Sequence, residues 1–275
     1  MRRFALPVLM IFMNSFLSAQ DIGVQLYSFR EQFPKDIPGT LQRIRIMGIT
    51  KLEGGNTYGL SVAEFKKMLD EKHLKMISIG ADFGKLENDI YSVIGDAKTY
   101  GAKYVVCTWI PHQGNEFTID QVKKAVDVFN TAGKILREKG LTLCYHPHGY
   151  EFRPYESGTL FDYLATHVNP AYVNFEMDVF WVKHPGQEPT ELLKKYPGRF
   201  ILMHLKDRKP GTPGNQNGQA DVESNVVLGQ GDVGIAEIMK MAKKSGVKHY
   251  FIEDESSRSF EQVPLSLAYL KSLKK

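Results

Sequence analysis

The chain has 275 residues, of which 43% are hydrophobic and 24% are charged, and its formal net charge is +4 at pH 7. This length suits one α/β barrel domain of about 250 residues. No Lys/Arg cluster or basic stripe with interleaved aromatic residues stands out, so we expect no nucleic-acid partner.

The first residues have the pattern of a secretory signal peptide, which we place over residues 1–19. Two arginines precede an apolar run from Phe4 to Leu17, and small residues close it. A membrane anchor is the alternative, but the run is short for a span and contains Pro7 and Asn14. We therefore expect an exported protein, periplasmic or extracellular, with no membrane association after cleavage and one mature domain over residues 20–275.

The rest of the chain alternates between strand-like and helical segments, and glycine repeatedly marks the turn from a helix to the next strand. The strands are predicted at 22–28, 51–53, 75–80, 104–107, 141–146, 172–177, 200–204 and 249–253. The helices are predicted at 37–47, 62–72, 90–100, 119–138, 160–166, 191–195, 235–245 and 264–273. Eight of each in alternation predict a parallel (β/α)8 TIM barrel in a single domain rather than an open sheet.

One long polar loop, residues 209–226, follows the seventh predicted strand and is rich in Gly, Asn and Gln. Loops of this length in compact domains are usually functional or disordered. Because it leaves the carboxyl end of a strand, we expect it to lie over the site and to act as a lid.

The last four strands each lead into a residue that can bind a metal ion: Glu151, Asp178, His204 and Glu253. A TIM barrel builds its active site at the carboxyl ends of its strands. For a lone Asp or Glu among these residues, a strand-end salt bridge is the better explanation. Several buried carboxylates together need a counter-charge, and carboxylates with imidazoles suit Mn²⁺, Co²⁺, Mg²⁺ or Zn²⁺. The set therefore predicts one divalent metal ion.

Several motifs in this order carry a resemblance to a known family. They are residues 146–152 (HPHGYEF), 178–181 (DVFW), 204–207 (HLKD), 228–232 (LGQGD) and 252–253 (IE), and the opening 23–30 (GVQLYSFR). Together they resemble the sugar phosphate isomerase/epimerase family of the xylose-isomerase-like TIM-barrel superfamily, over the whole mature chain.

The resemblance implies one divalent metal ion held by Glu, Asp, His and Glu from strands five to eight. Asp178, His204 and Glu253 match three of these positions. Many relatives have Glu where this chain has His146, so Glu151 is the expected first ligand and His146 is the alternative.

The groups left over after metal binding are candidates for catalysis and substrate binding. His146 and His148 are the candidate bases, and Lys206 is a candidate for holding an enolate oxygen. The candidates for substrate binding are Glu53, His112, Trp181 and Phe29. The two aromatic residues suit stacking on a sugar face and packing in the core equally well.

The resemblance implies an enzyme that acts on a small-molecule carbohydrate through an enediolate, as an isomerase or epimerase. Export favours an unphosphorylated sugar or keto-sugar. A lyase or hydratase acting on 3-keto-glycosides at the same site is one alternative, and a non-catalytic carbohydrate-binding barrel is another. A DNA-repair endonuclease is disfavoured by the signal peptide and the near-neutral charge. The sequence leaves the oligomeric state open, including a homo-oligomer.

Overall fold

The computed structural model describes residues 22–273, whose eight main strands form one closed parallel barrel surrounded by helices. The (β/α)8 TIM barrel expected from the sequence is confirmed. The predicted signal peptide, residues 1–19, lies outside the described residues. Within residues 22–273, no helix combines the length and the apolar character needed to cross a membrane.

The barrel strands follow one another around the cylinder in chain order, and each pairs in parallel with its two neighbours. Strands one to eight are Ile22–Gln25, Lys51–Gly54, Lys75–Gly80, Tyr104–Cys107, Thr142–Tyr145, Val173–Asp178, Phe200–Leu205 and His249–Ile252. The first and eighth strands close the barrel, with Gly23 opposite Phe251. The first strand is shorter than predicted, because Leu26–Phe29 turns into a 3-10 helix.

The α-helices of the described residues are Ile37–Ile46, Val62–Glu71, Phe83–Asn88, Ile90–Tyr100, Ile119–Glu138, Leu160–His167, Val179–Lys183, Pro189–Lys195, Ile235–Lys244 and Ser259–Ser272. All eight predicted helices are present. Two short ones, Phe83–Asn88 and Val179–Lys183, were not predicted, because five or six residues are too few to show a helical period. The second of these matters for function, since it begins directly after Asp178.

Inside the barrel, a small apolar layer lies on the amino-terminal side of a polar layer. Cys144, Leu202 and Phe251 are fully buried together, and each stands two residues before a polar residue of the site. Side chains two apart on a strand share a face, so the polar layer lies directly toward the carboxyl ends. Gly23 makes room for this layer, because a Cβ there would lie 2.7 Å from the Phe251 ring and 2.6 Å from the Lys51 carbonyl oxygen.

Candidate functional site

A cavity of about 450 Å³ opens at the carboxyl ends of the barrel strands. Its lining includes Glu53, His146, His148, Trp181, His204 and Glu253, all of which the sequence predicts as site residues. Loop residue Gly218 also lines it. The long loop after the seventh strand therefore covers part of the site, as expected.

Three buried ligand atoms face one another beside this cavity. One ligand atom each from His146, Asp178 and His204 lies within 4.8 Å of the others. Nε2 of His146 is 4.0 Å from Oδ2 of Asp178, and Nδ1 of His204 is 3.9 Å from the same oxygen. None of these three atoms has a hydrogen-bond partner within the described part of the chain. Polar atoms this deeply buried are normally paired, so their arrangement fits a metal ion.

Glu253 lies next to this group, on the side of His204. Its Oε2 lies 3.2 Å from Nδ1 of His204. Burial alone would raise the pKa of Glu253, but Lys206 and His204 outweigh burial and hold it well below its usual range. Glu253 is therefore a carboxylate that can bind a cation.

Each histidine of this group is oriented by a buried carboxylate on its other nitrogen. Nδ1 of His146 lies 3.2 Å from Oε2 of Glu176, and Nε2 of His204 lies 2.5 Å from Oε1 of Glu53. Gln25 and Ser78 also donate hydrogen bonds to the Glu53 carboxylate. Carboxylate–histidine pairs of this kind fix the tautomer of metal-binding histidines. Nε2 of His146 and Nδ1 of His204 are the ring nitrogens that face the cluster.

Asp178 is held by the short helix that it caps. Its Oδ1 accepts hydrogen bonds from the backbone N–H groups of Phe180 and Trp181, at 2.8 and 3.2 Å. Oδ2 is left for the cluster. Burial raises the pKa of Asp178 to about 7, against the opposing effect of Lys206. A buried carboxylate in this position lacks sufficient positive charge around it, which a divalent cation would supply.

Lys206 supplies positive charge next to the cluster. Its Nζ lies 3.4 Å from Oε2 of Glu253 and 4.0 Å from Oδ2 of Asp178, and it contacts Glu255. Burial lowers its pKa, but the carboxylates of Glu253, Glu255 and Asp178 outweigh burial and raise it. Lys206 therefore keeps its proton, which makes it a hydrogen-bond donor rather than a base.

The structure separates Glu151 from the cluster, against the sequence expectation. Gly149, with φ of +104°, turns the chain so that the Glu151 carboxylate folds back onto its own loop. There it accepts hydrogen bonds from the Tyr145 hydroxyl and from the backbone N–H groups of His148 and Gly149. His146, the alternative first ligand, lies in the cluster instead. It is therefore no longer a candidate for the base.

His148 remains beside the cluster without belonging to it. Its ring stacks on His146, with centroids 4.5 Å apart, and packs against Trp181 at 5.4 Å. Its Nδ1 is buried without a partner in the described structure. Burial, and then the charge of Lys206, lower the pKa of His148 to about 4, so the imidazole is neutral near pH 7.

The candidates for substrate binding divide into two groups. Trp181 lines the cavity, as expected, and Glu53 lines it while orienting His204. Phe29 is fully buried and stacks on Phe260 at 4.7 Å, so it packs in the core and is not part of the cavity wall. His112 is not part of the cavity wall; it stacks under a wall residue, Trp109, at 4.7 Å.

The cavity wall also contains residues that the sequence analysis did not select. Glu255, Trp109 and Tyr27 all line it. The alternation Glu253-Asp254-Glu255 was a usable signal, because the first and third residues of such a segment share a side. Trp109 and Tyr27 follow the fourth and first strands closely, which is where barrel enzymes place their loops.

Comparison with known proteins assigns the chain to a family. Residues 41–273 match the family described as xylose isomerase-like TIM barrel. The chain belongs to this family. The resemblance recognised in the sequence is confirmed.

Individual relatives are enzymes of two kinds. The chain is 25% identical over 189 residues to an inosose dehydratase of Bacillus anthracis, and the match covers 61% of this chain but only 62% of that relative. A solved sugar phosphate isomerase/epimerase from Parabacteroides distasonis is 26% identical, with a TM-score of 0.78, over 95% of this chain and 97% of that one.

A second solved structure shows the same fold with a metal ion. The IOLI protein, whose structure contains a bound zinc atom, has a TM-score of 0.70 and 16% identity, over 92% of this chain and 96% of its own. At this identity the similarity establishes the fold alone.

Proposed function

We propose that this chain is a divalent-metal-dependent enzyme that removes a proton from the carbon next to a carbonyl group of an unphosphorylated sugar or keto-sugar. The observation that carries the proposal is the set of three buried ligand atoms on His146, Asp178 and His204 that make no hydrogen bond to another described residue and lie beside an open cavity. Buried polar atoms with a purely structural role are normally hydrogen-bonded.

Four atoms would hold the metal ion: Nε2 of His146, Oδ2 of Asp178, Nδ1 of His204 and Oε2 of Glu253. Two nitrogen and two oxygen ligands suit Zn²⁺, Co²⁺ or Mn²⁺, and Mg²⁺ less well because it prefers oxygen. When bound, such an ion supplies a Lewis acid that polarises a carbonyl oxygen and makes the adjacent C–H group more acidic.

Two further residues act on the substrate. His148 lines the cavity and its imidazole is neutral near pH 7, so the ring is the candidate base that takes the proton from carbon. Lys206 keeps its proton and lies behind the cavity wall, beside Glu253 and Asp178, so its charge stabilises the oxygen that gains negative charge without a direct contact. Trp181, only 6% exposed, excludes water from this end of the cavity.

The composition of the cavity wall supports a substrate without phosphate. Among the described residues that line it, none is Lys or Arg, whereas Glu53, Glu253 and Glu255 are carboxylates. Phosphate groups are usually bound by Arg, by Lys or at helix N-termini. The predicted signal peptide agrees with this proposal, since sugar phosphates are mainly cytoplasmic.

Two reactions follow from the same first step. Returning the proton to the substrate gives isomerisation or epimerisation, which is the first proposal. Loss of a group from the next carbon instead gives elimination, and the inosose dehydratase relatives favour this second candidate. In an elimination, the C–H pair of electrons forms the new double bond and the leaving group departs with its own pair, so no oxidant is needed.

The test is a solvent-exchange screen by proton NMR in D₂O, with protein reconstituted with Mn²⁺, Co²⁺, Mg²⁺ or Zn²⁺. Free sugars, sugar phosphates, 3-keto-glucosides and an inosose are the substrates, and Asp178→Asn is the control. We expect deuterium next to the carbonyl, or an unsaturated product, for an unphosphorylated keto compound only. Binding without exchange for every compound would instead support the non-catalytic barrel.

A further inference from the structure

We infer that the outer part of the cavity is a second subsite, which binds a six-membered ring joined to the reacting sugar through a glycosidic oxygen. Trp109 and Tyr27 form its walls. The inference rests on the proposed function for the identity of the inner ring, and it adds that the substrate has two rings.

Two tryptophan rings contact His148, which lies next to the proposed metal ligands. His148, next to the cluster, contacts Trp181 at 5.4 Å and Trp109 at 5.9 Å between ring centroids. Trp181 is 6% exposed, whereas Trp109 is 38% exposed, and both line the same cavity. Trp109, the more exposed of the two, therefore lies nearer the mouth of the cavity than Trp181.

Trp109 is held in place before any ligand binds. Its ring stacks on His112 at 4.7 Å with an interplanar angle of 23°, and its edge packs against Tyr150 at 4.8 Å. The long loop approaches closely at Gly218, where a Cβ would lie 3.0 Å from the Trp109 ring. A rigid aromatic surface binds a ligand ring with little loss of conformational entropy. This arrangement also gives His112 a role in supporting Trp109.

Tyr27 provides a second exposed ring on the same cavity. It follows the first strand and is 52% exposed, and the Arg30 guanidinium lies 4.8 Å from its ring centroid. The C–H faces of sugar rings, and flat aromatic rings, both pack well on such surfaces. Asn56 and Thr108 in the wall supply polar groups for hydroxyls.

The size of the cavity agrees with a two-ring ligand. Its volume of about 450 Å³ lies in the range of roughly 300–1,000 Å³ that is typical for drug-sized ligands. Gly54, Gly55 and Gly80 line one wall and add no side chains to it. These three glycines therefore place no side chain in the cavity between the proposed metal ligands and the rings of Trp109 and Tyr27.

The experiment measures binding by isothermal titration calorimetry to the metal-reconstituted protein, so it does not depend on turnover. The probes are methyl β-D-glucopyranoside, 4-nitrophenyl β-D-glucopyranoside and cellobiose. We expect at least one two-ring probe to bind about tenfold more tightly than the methyl glucoside, and Tyr27→Ala or Trp109→Ala to remove most of that advantage. Trp109→Phe should retain part of it.

The control is Tyr91→Ala, which removes an aromatic ring that is 69% exposed and is not part of the cavity wall. It should leave the affinities for all three probes unchanged.

Tighter binding of cellobiose would show that the second ring is a sugar. Tighter binding of the nitrophenyl probe would show that it is an aromatic aglycone. Either result supports the inference. Three results would overturn the inference. They are equal affinity for all three probes, no measurable binding of either two-ring probe, and an unchanged preference for the two-ring probes in both the Tyr27 and the Trp109 alanine variants. A retained two-ring preference in a protein without exchange activity would overturn the proposed reaction alone.

Discussion

His146 and Glu176 form a buried carboxylate–histidine pair inside the barrel, with Nδ1 of the imidazole 3.2 Å from Oε2 of the carboxylate. The pair fixes the orientation of the imidazole, so that its Nε2 faces Asp178 at 4.0 Å from Oδ2. Glu53 has the same relationship to His204. The orientations of two proposed ligand atoms, Nε2 of His146 and Nδ1 of His204, are therefore set by buried carboxylates on the other side of each ring.

Glu176→Leu should lower the affinity for divalent metal about 10–100-fold, because the His146 ring loses the partner that orients it. Competition with a chromogenic chelator measures this affinity. Glu71→Leu, on the exposed surface of the Val62–Glu71 helix, is the matched control and should bind metal normally. Unaltered affinity in the Glu176 variant would show that the pair does not orient a ligand.

His146→Ala and Glu151→Ala should have opposite effects. The first removes a ligand atom and should abolish stoichiometric metal binding while the fold is retained. The second leaves three hydrogen-bond donors without their acceptor and should destabilise the fold by about 2–4 kcal/mol while metal still binds. Metal analysis and urea unfolding separate the two effects. Metal loss in the Glu151 variant alone would restore that residue as the ligand.

Removal of metal by a chelator should lower the thermal unfolding midpoint, because the buried carboxylates lose their counter-charge. Ligand at about 100 times its dissociation constant stabilises a fold by about 2.7 kcal/mol. Differential scanning fluorimetry with each of the four candidate ions follows the recovery. Asp178→Asn should show a much smaller response, and a response equal to that of the unaltered protein would place the ion elsewhere.

His148→Ala should keep metal affinity and reduce solvent exchange at the substrate carbon by about 10²–10⁴-fold, the usual contribution of a general base. The NMR exchange assay measures this on the best keto compound of the screen. Undiminished exchange would exclude His148 and move the role to a carboxylate in the wall, with Glu255 the first to test.

The fold and three of the proposed metal ligands could be predicted because they depend on period and position along strands. Asp178, His204 and Glu253 stand at or just after strand ends, and a parallel barrel brings such positions together. Glu176, directly beneath Asp178 on the same face, follows from the same alternation.

The structure departs from the expected side-chain positions where a local turn decides the direction of a side chain. The positive φ of Gly149 turns the Glu151 carboxylate toward the backbone of its own loop. The alternation of residues along a strand does not predict such a turn. Phe29 belongs to the 3-10 helix that replaces the end of the first strand, which directs its ring into the core. His112 lies in a loop, where its contact with Trp109 depends on tertiary packing.

The most direct test of the metal centre is a crystal structure of protein reconstituted with Mn²⁺, with the anomalous signal of manganese used to locate the ion. We predict one peak about 2.0–2.3 Å from Nε2 of His146, Oδ2 of Asp178, Nδ1 of His204 and Oε2 of Glu253. A peak between Glu53 and Glu176, a peak on Glu151, or no peak within the barrel in fully reconstituted protein would contradict the account.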